Sequence, residues 1–304
     1  MSEIAPLTPG LYLVATPIGN LGDITLRALD VLRAADIIAC EDTRQTQKLL
    51  NHFAIDARTV SYHEHNERER SAQLIEAIQS GKVVALVSDA GTPVVSDPGG
   101  WLIQEAIAAG IPVIPIPGAN AALTALIASG LPATEFTFLG FLPEKAGARR
   151  TCLEDLAAEF RTARTVIFYE APHRIADTLA DLESIFGPTL RVVAARELTK
   201  LHEEFLRGTV AEVRTALATR DRIRGEFVLV IEIPARSTGA PGPEQLGTGV
   251  GTAPTRESIS TRIARLHTEE GLDEKDALKR LARETGQSKS ELYRELQRER
   301  ARRK

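Results

Sequence analysis

The stretch Val83-Val84-Ala85-Leu86-Val87-Ser88-Asp89-Ala90-Gly91-Thr92-Pro93-Val94-Val95-Ser96-Asp97-Pro98-Gly99 decides the fold. Its first five residues form an unbroken apolar run, as a strand covered on both faces of a mainly parallel sheet requires. The loop that follows holds two Asp, two Gly and two Pro, more than a turn needs. Pro fixes φ and Gly permits positive φ, so such a loop can hold its backbone groups open to a ligand. Asp89 and Asp97 are then available to a cation or to ligand hydroxyls; the plainer reading is a structural loop with Asp caps.

Outward from this strand the same grammar repeats. Upstream, Leu11–Ala15, Asp36–Cys40 and Arg58–Ser61 read as strands, with helices from about Thr25, Thr43 and Asn66 between them. Downstream, Gly100–Ala109 is helical and Val113–Ile116 is a strand. Strands alternating with helices of this length define an α/β sheet with both faces covered. Pro117-Gly118 breaks the pattern before Ala119–Ser129, a helix apolar nearly all round and therefore expected to be buried. A second α/β segment runs from strand Phe136–Gly140 to strand Phe227–Ile233. The domains expected are thus residues 10–118 and 119–234. A Gly-, Pro-, Thr- and Ser-rich linker over 235–255 and a helical module over 256–304 complete the chain. That module has the silhouette of a helix-turn-helix, with a supporting bundle cap as the alternative.

Composition excludes several classes. Hydrophobic content of 43% with 26% charged residues is that of a globular chain. No apolar run nears the roughly 18 residues of a membrane span, and no export signal opens the chain, so a cytoplasmic location is expected. Cys40 and Cys152 form neither a disulfide framework nor a metal pair, and His63 with His65 lack the further ligands of a zinc site. The net charge of −4 is unevenly spread: 14 Lys/Arg face 10 Asp/Glu from Arg256 to Lys304, against 23 and 31 before it. A basic end of this kind can hold a phosphate backbone, or can simply be a solvated helix end.

In such sheets ligands gather beyond the carboxyl ends of the strands. Besides Ser88–Gly99, segments at these positions are Thr16-Pro17-Ile18-Gly19-Asn20, Pro117-Gly118-Ala119-Asn120-Ala121 and Phe168-Tyr169-Glu170-Ala171-Pro172-His173-Arg174. The first lacks the spacing of a dinucleotide or P-loop phosphate cradle. Polar clusters Tyr62-His63-Glu64-His65-Asn66-Glu67 and Arg196-Glu197-Leu198-Thr199-Lys200-Leu201-His202-Glu203-Glu204 add further acid, base and cation candidates.

These segments, with Glu41-Asp42-Thr43-Arg44 and Gly140-Phe141-Leu142-Pro143, resemble in this order the ribosomal-RNA methyltransferase branch of the tetrapyrrole methylase superfamily, through about residues 10–234. The resemblance implies two α/β domains of the class III methyltransferase type, with S-adenosylmethionine in the cleft between them, and a homodimer. It implies 2′-O-methylation of a cytidine ribose in small-subunit (16S) ribosomal RNA, with the small ribosomal subunit as partner and no metal. Cofactor positions carried over are Pro17, Asp89, Ala90, Gly91, Ala119, Asn120, Ala121, Phe168 and Tyr169. Ala15-Thr16-Pro17 replaces the glycine-rich opening usual in the superfamily. By chemistry, Glu170, His63 and Glu64 are candidate bases, Lys200 a candidate stabiliser of the nascent alkoxide, and Lys145, Arg174 and Arg196 candidate RNA contacts. Two alternatives are a superfamily methylase acting on a tetrapyrrole or a modified histidine, and a non-catalytic RNA-binding assembly factor.

Overall fold

A computed structural model describes residues 7–159, 162–234, 262, 263, 266, 272–285, 292 and 296. The chain divides into two compact units, Met1–Gly239 and Ala240–Lys304.

The first unit contains two five-stranded sheets. One joins β1 (Gly10–Val14), β2 (Ile37–Cys40), β3 (Thr59–Ser61), β4 (Val83–Val87) and β5 (Val113–Ile116) in the order β3-β2-β4-β1-β5. All its pairs are parallel, and β4 is buried along its whole length, as its unbroken apolar run requires. Ala28, Leu29 and Leu32 of α1 (Leu26–Ala34) and Leu50 of α2 (Thr43–His52) pack on one face. Leu74 and Ile78 of α3 (Glu67–Gln79) and Leu102 and Ala106 of α4 (Gly100–Ala108) pack on the other. Neighbouring strands β1 and β4 therefore send their chains to opposite faces. Their carboxyl ends part around a crevice, the topological switch point where open α/β sheets bind ligands.

The second sheet has the order β6-β7-β10-β8-β9, from β6 (Phe136–Phe141), β7 (Arg164–Glu170), β8 (Arg191–Arg196), β9 (Glu204–Thr209) and β10 (Phe227–Ile233). Only β6 and β7 run parallel; β10 is antiparallel to both β7 and β8. Consequently the amino end of β10 lies beside the carboxyl ends of β7 and β8. Helices α6 (Ala146–Glu159), α7 (Ile175–Phe186) and α8 (Val210–Ala218) cover one face through Leu153, Leu179 and Val213. The other face takes α5 (Ala121–Ser129), whose Ala122, Ala125 and Leu126 meet Ile167, Val193 and Val230.

Helix α5 corrects one expectation. It is not buried all round: Leu123 is 47% exposed and Ile127 80%. Its apolar sequence serves two faces, of which the chain itself covers one.

In the second unit α9 (Glu274–Thr285) supplies Ala277, Leu278 and Leu281 to a small core with Ile263, Leu266, Leu292 and Leu296. The expected linker 235–255, the turn at Gly286 and the basic end 298–304 lie outside the described residues.

Candidate active site

Each half of the site is built by a loop that closes a strand. After β1, Thr16 pairs with Gly91 in an isolated antiparallel bridge, and Thr16 Oγ1 donates to Ser88 O at 3.0 Å. After β4, Ser88 Oγ donates to Asp97 Oδ2 at 2.5 Å and accepts from Ala90 N at 3.1 Å. Gly91 (φ +93°), Val94 (+72°), Ser96 (+67°) and Gly99 (+133°) all take left-handed backbone. Positive φ in a β-branched residue such as Val94 is costly, and such strain persists where surrounding bonds over-determine it, commonly at ligand sites.

Between this loop and the second sheet lies a cavity of about 400 Å³. Asp89, Ala90, Gly91 and Asp97 line one side; Ala121, Tyr169, Leu198 and Val228 line the other, with Ile18 between. The volume falls in the ~300–1,000 Å³ range of small-molecule sites, and apolar walls with a few polar groups are their usual composition. Gly91 suits close approach: a Cβ there would stand 3.2 Å from Ile18 Cγ2. Apolar walls for a purine face, open backbone at 89–91 and carboxylates for a cationic ligand fit a nucleoside carrying a charged amino-acid arm.

Of the nine expected cofactor residues, Asp89, Ala90, Gly91, Ala121 and Tyr169 line the cavity. Tyr169 is held by edge-on contacts with Phe138 and Phe141, and burial pushes its hydroxyl above the ordinary range, Ala122 opposing and Asp97 adding to the rise. Ala119 and Asn120 act one step back: Ala119 O accepts from Thr92 Oγ1 at 3.1 Å, and Asn120 Nδ2 donates to Thr92 Oγ1 at 3.3 Å while its Oδ1 caps α5. Pro17 is buried beside Ile18. Phe168 does not fit the expectation. Strand alternation turns it into the core under α6–α8, opposite Tyr169, where it is fully buried.

Glu170 borders the cavity, with its carboxylate engaged inside the fold. Its side chain is 0% exposed; Oε1 accepts from Ala171 N at 2.8 Å and Oε2 from Thr178 Oγ1 at 2.5 Å. Arg174 Nε stands 3.2 Å away, an ion pair too oblique for a hydrogen bond. Arg174 in turn donates to Leu142 O and Pro143 O, tying down the loop that carries exposed Lys145. With both oxygens engaged, Glu170 anchors the wall of the cavity and is poorly placed to take a substrate proton.

The remaining candidates surround the cavity without lining it. Lys200 Nζ is 2.9 Å from both Glu197 and Glu226, and its stem lies over Gly19, where a Cβ would meet Lys200 Cγ at 2.4 Å. Arg196 donates to Arg224 O and Glu204. His63 is partly buried at the end of β3, its Nε2 3.3 Å from Asn66 Nδ2, and Glu64 is exposed beside it. Burial holds the Glu41 carboxyl above its ordinary range, with Asp89, Asp97 and Glu64 adding to the rise and His63 opposing it. The ends of β2, β3 and β4 thus share one polar rim. Among the described residues no group of three or more His, Cys, Asp or Glu is arranged to hold a metal ion.

The sequence offered Asp97 as a contact for a cation or ligand hydroxyls, placed Leu198 in a polar cluster, and gave no signal for Glu226. Asp97 lines the cavity, and burial raises its carboxyl above the ordinary range, Ser88 opposing and Asp89 adding. Its signal was present, in the same loop as Asp89. Glu226 carried none, because only the antiparallel course of β10 brings its start to the ligand edge.

A crevice at a switch point, facing a mixed sheet across an apolar cavity, is the architecture of a nucleoside-cofactor enzyme. Residues 10–214 match the model of the tetrapyrrole (corrin/porphyrin) methylases. The chain belongs to that family. It is 48% identical to the ribosomal RNA small subunit methyltransferase I of Halalkalibacterium halodurans, over 93% of each chain. With the Bacillus subtilis protein of that name the identity is 51%, over 73% of this chain and 74% of that one. Among solved structures, uroporphyrin-III C-methyltransferase from Thermus thermophilus complexed with S-adenosylhomocysteine superposes with a TM-score of 0.51 at 18% identity, covering 73% of this chain and 96% of the other. A conserved protein from Aeropyrum pernix gives 0.55 at 24%, over 76% and 86%. Both likenesses concern the fold.

Proposed function

We propose that this protein uses S-adenosylmethionine to methylate the ribose 2′-hydroxyl of a cytidine in small-subunit ribosomal RNA. The observation that carries the reading is the cavity between the two sheets, in a chain so similar along its length to proteins named for that RNA. When bound, the cofactor supplies a methyl group on a sulfonium, already attached to a good leaving group. The task left to this chain is alignment, which can contribute up to ~7–11 kcal/mol to a bimolecular step. The 89–91 backbone and the carboxylate of Asp89 hold the amino-acid arm. Ala121 and Tyr169 form the adenosine wall, supported by Ala119 and Asn120.

Asp97 is the carboxylate best placed to receive the hydroxyl proton. It lines the cavity, one oxygen is fixed by Ser88, and its raised affinity for protons suits a base. Lys200 offers its ammonium at the opposite rim, poised between Glu197 and Glu226. His63 and Glu64 on the first-sheet side, and Lys145, Arg174 and Arg196 on the second-sheet side, are assigned to the path of the RNA.

The protein works in the cytoplasm as a homodimer on the small subunit. No helix among the described residues is long and apolar enough to cross a membrane. Exposed Leu123 and Ile127 on α5 support a second copy, and Ile127→Glu should shift the mass in light scattering from dimer to monomer. Deleting residues 235–304 should abolish methylation of subunits while sparing naked RNA fragments, if the basic module docks the enzyme.

Asp89→Ala should weaken cofactor binding in calorimetry, and wild-type protein with tritiated cofactor should label small-subunit RNA. Label on a tetrapyrrole and none on RNA would replace this reading with the small-molecule one. RNA binding with no measurable cofactor affinity would leave an assembly factor.

A further inference from the structure

A second pocket, of about 420 Å³, opens along the same edge of the first sheet, between the start of α3 and the start of α4. Residues 64–69 form one wall and Trp101 the other. Trp101 is the chain's single tryptophan and is 39% exposed. The Arg68 guanidinium lies 5.1 Å from its ring centroid, within cation–π range. Neither group is needed to close the core beneath, which is filled by Leu74 and Leu102.

The platform is held rigid from below. One oxygen, Glu67 Oε1, accepts from Gly99 N at 3.3 Å, Trp101 N at 3.2 Å and Tyr62 Oη at 3.0 Å. Both helix starts are thus pinned to a single carboxylate, next to the loop that shapes the cofactor cavity. With Glu67 occupied, the other carboxylates at the pocket are Glu64, 3.6 Å from His65 Nε2, and Glu69, which accepts from Gln73 Nε2 at 3.4 Å, both exposed. Carboxylates repel phosphate but accept from an exocyclic amine. An aromatic ring paired with a guanidinium plane is the surface on which unpaired RNA bases stack.

We propose that Trp101 and Arg68 form a stacking platform for an unpaired, amino-bearing base of the RNA, read by the carboxylates of Glu64 and Glu69. The occupant neighbours the methylated nucleotide, since the pocket and the cofactor cavity share the polar rim of Glu41, Glu64 and Asp89. This assignment rests on the RNA reading above and adds the residues that choose sequence context.

The single tryptophan makes the test direct. Full-length protein is titrated with short single-stranded oligo(C), oligo(A) and oligo(U) RNA, following indole fluorescence and, separately, anisotropy of end-labelled RNA. The proposal predicts quenching by oligo(C) and oligo(A) at lower concentration than by oligo(U). Arg68→Ala and Trp101→Ala should each raise the anisotropy Kd roughly 5- to 150-fold, the span of one base–aromatic stack. Trp101→Phe, which keeps a ring, should restore part of the affinity, and Glu69→Gln should narrow the preference for C over U. Cofactor affinity of Arg68→Ala should equal wild type, which shows that the fold is intact. RNA that binds by anisotropy while Trp101 stays silent overturns the platform and leaves the RNA reading standing. Emission that changes with protein concentration in the absence of RNA overturns it in favour of a second copy covering Trp101. Failure of every RNA to bind overturns both.

Discussion

Thr16 and Gly91 exchange a pair of backbone hydrogen bonds, Thr16 N to Gly91 O at 2.9 Å and Gly91 N to Thr16 O at 3.1 Å. The bridge ties together two loops whose strands lead to opposite faces of the sheet, and it leaves Gly91 facing the cavity at φ +93°. A side chain there meets Ile18 and adopts a backbone that L-residues resist. Gly91→Val should cost about 1–3 kcal/mol of strain. Calorimetry should show weaker S-adenosylmethionine binding and scanning calorimetry a lower Tm. Unchanged binding would mean that the cofactor does not approach this backbone.

Glu170 is expected to matter for stability before chemistry. Replacing it with Gln removes the charge opposite Arg174 and disturbs the bonds to Thr178 and Ala171. Breaking a buried pair costs about 3–5 kcal/mol. Chemical denaturation should register that loss, while turnover per folded molecule stays within about tenfold of wild type, short of the ~10²–10⁴ expected for a proton-transfer group. Full stability with a thousandfold slower turnover would restore Glu170 as the base.

Asp97 should show the opposite pattern. Burial raises its carboxyl, so the folded state keeps the proton to higher pH than the unfolded chain does. Between the two pKa values the folded state binds more protons, and stability falls as pH rises; above both, the ionised carboxylate is a standing cost. Asp97→Asn should therefore raise Tm at neutral pH, the gain shrinking as pH falls through the raised Asp97 pKa toward the ordinary Asp value near ~4 and vanishing below it. Methyl transfer should drop sharply in the same variant, and the wild-type rate should rise with pH through the raised Asp97 pKa. An Asn variant with full activity would remove Asp97 from the chemistry.

Phe168 and Tyr169 separate core from cavity. Phe168→Ala should lower stability by about 3–5 kcal/mol as a buried aromatic truncation. Tyr169→Ala, at the cavity wall, should instead raise the cofactor Kd. Equal effects of both changes on cofactor affinity would contradict the strand's alternation.

Much of the fold was legible because its signals are local. The apolar run Val83–Val87 and the start of α1 at Thr25 mark their elements within a residue or two. The loop 88–99 that lines the cavity was legible for the same reason, since Gly, Pro and Asp crowd one segment. What escaped depends on partners distant in sequence. The exposure of Ile127 follows from which face of α5 meets the second sheet, and the engagement of Glu170 from Thr178 one helical turn into α7. Glu226 joins the site only through β10 running antiparallel to its neighbours.

Ribose methylation by this protein is tested by incubating the purified protein with tritiated S-adenosylmethionine and small ribosomal subunits that lack the modification, then locating the label by nuclease digestion and mass spectrometry. One labelled cytidine is expected, methylated on its 2′-oxygen, with the label lost in Asp97→Asn. Label on a base carbon or nitrogen, on a tetrapyrrole, or on no RNA at all would contradict it.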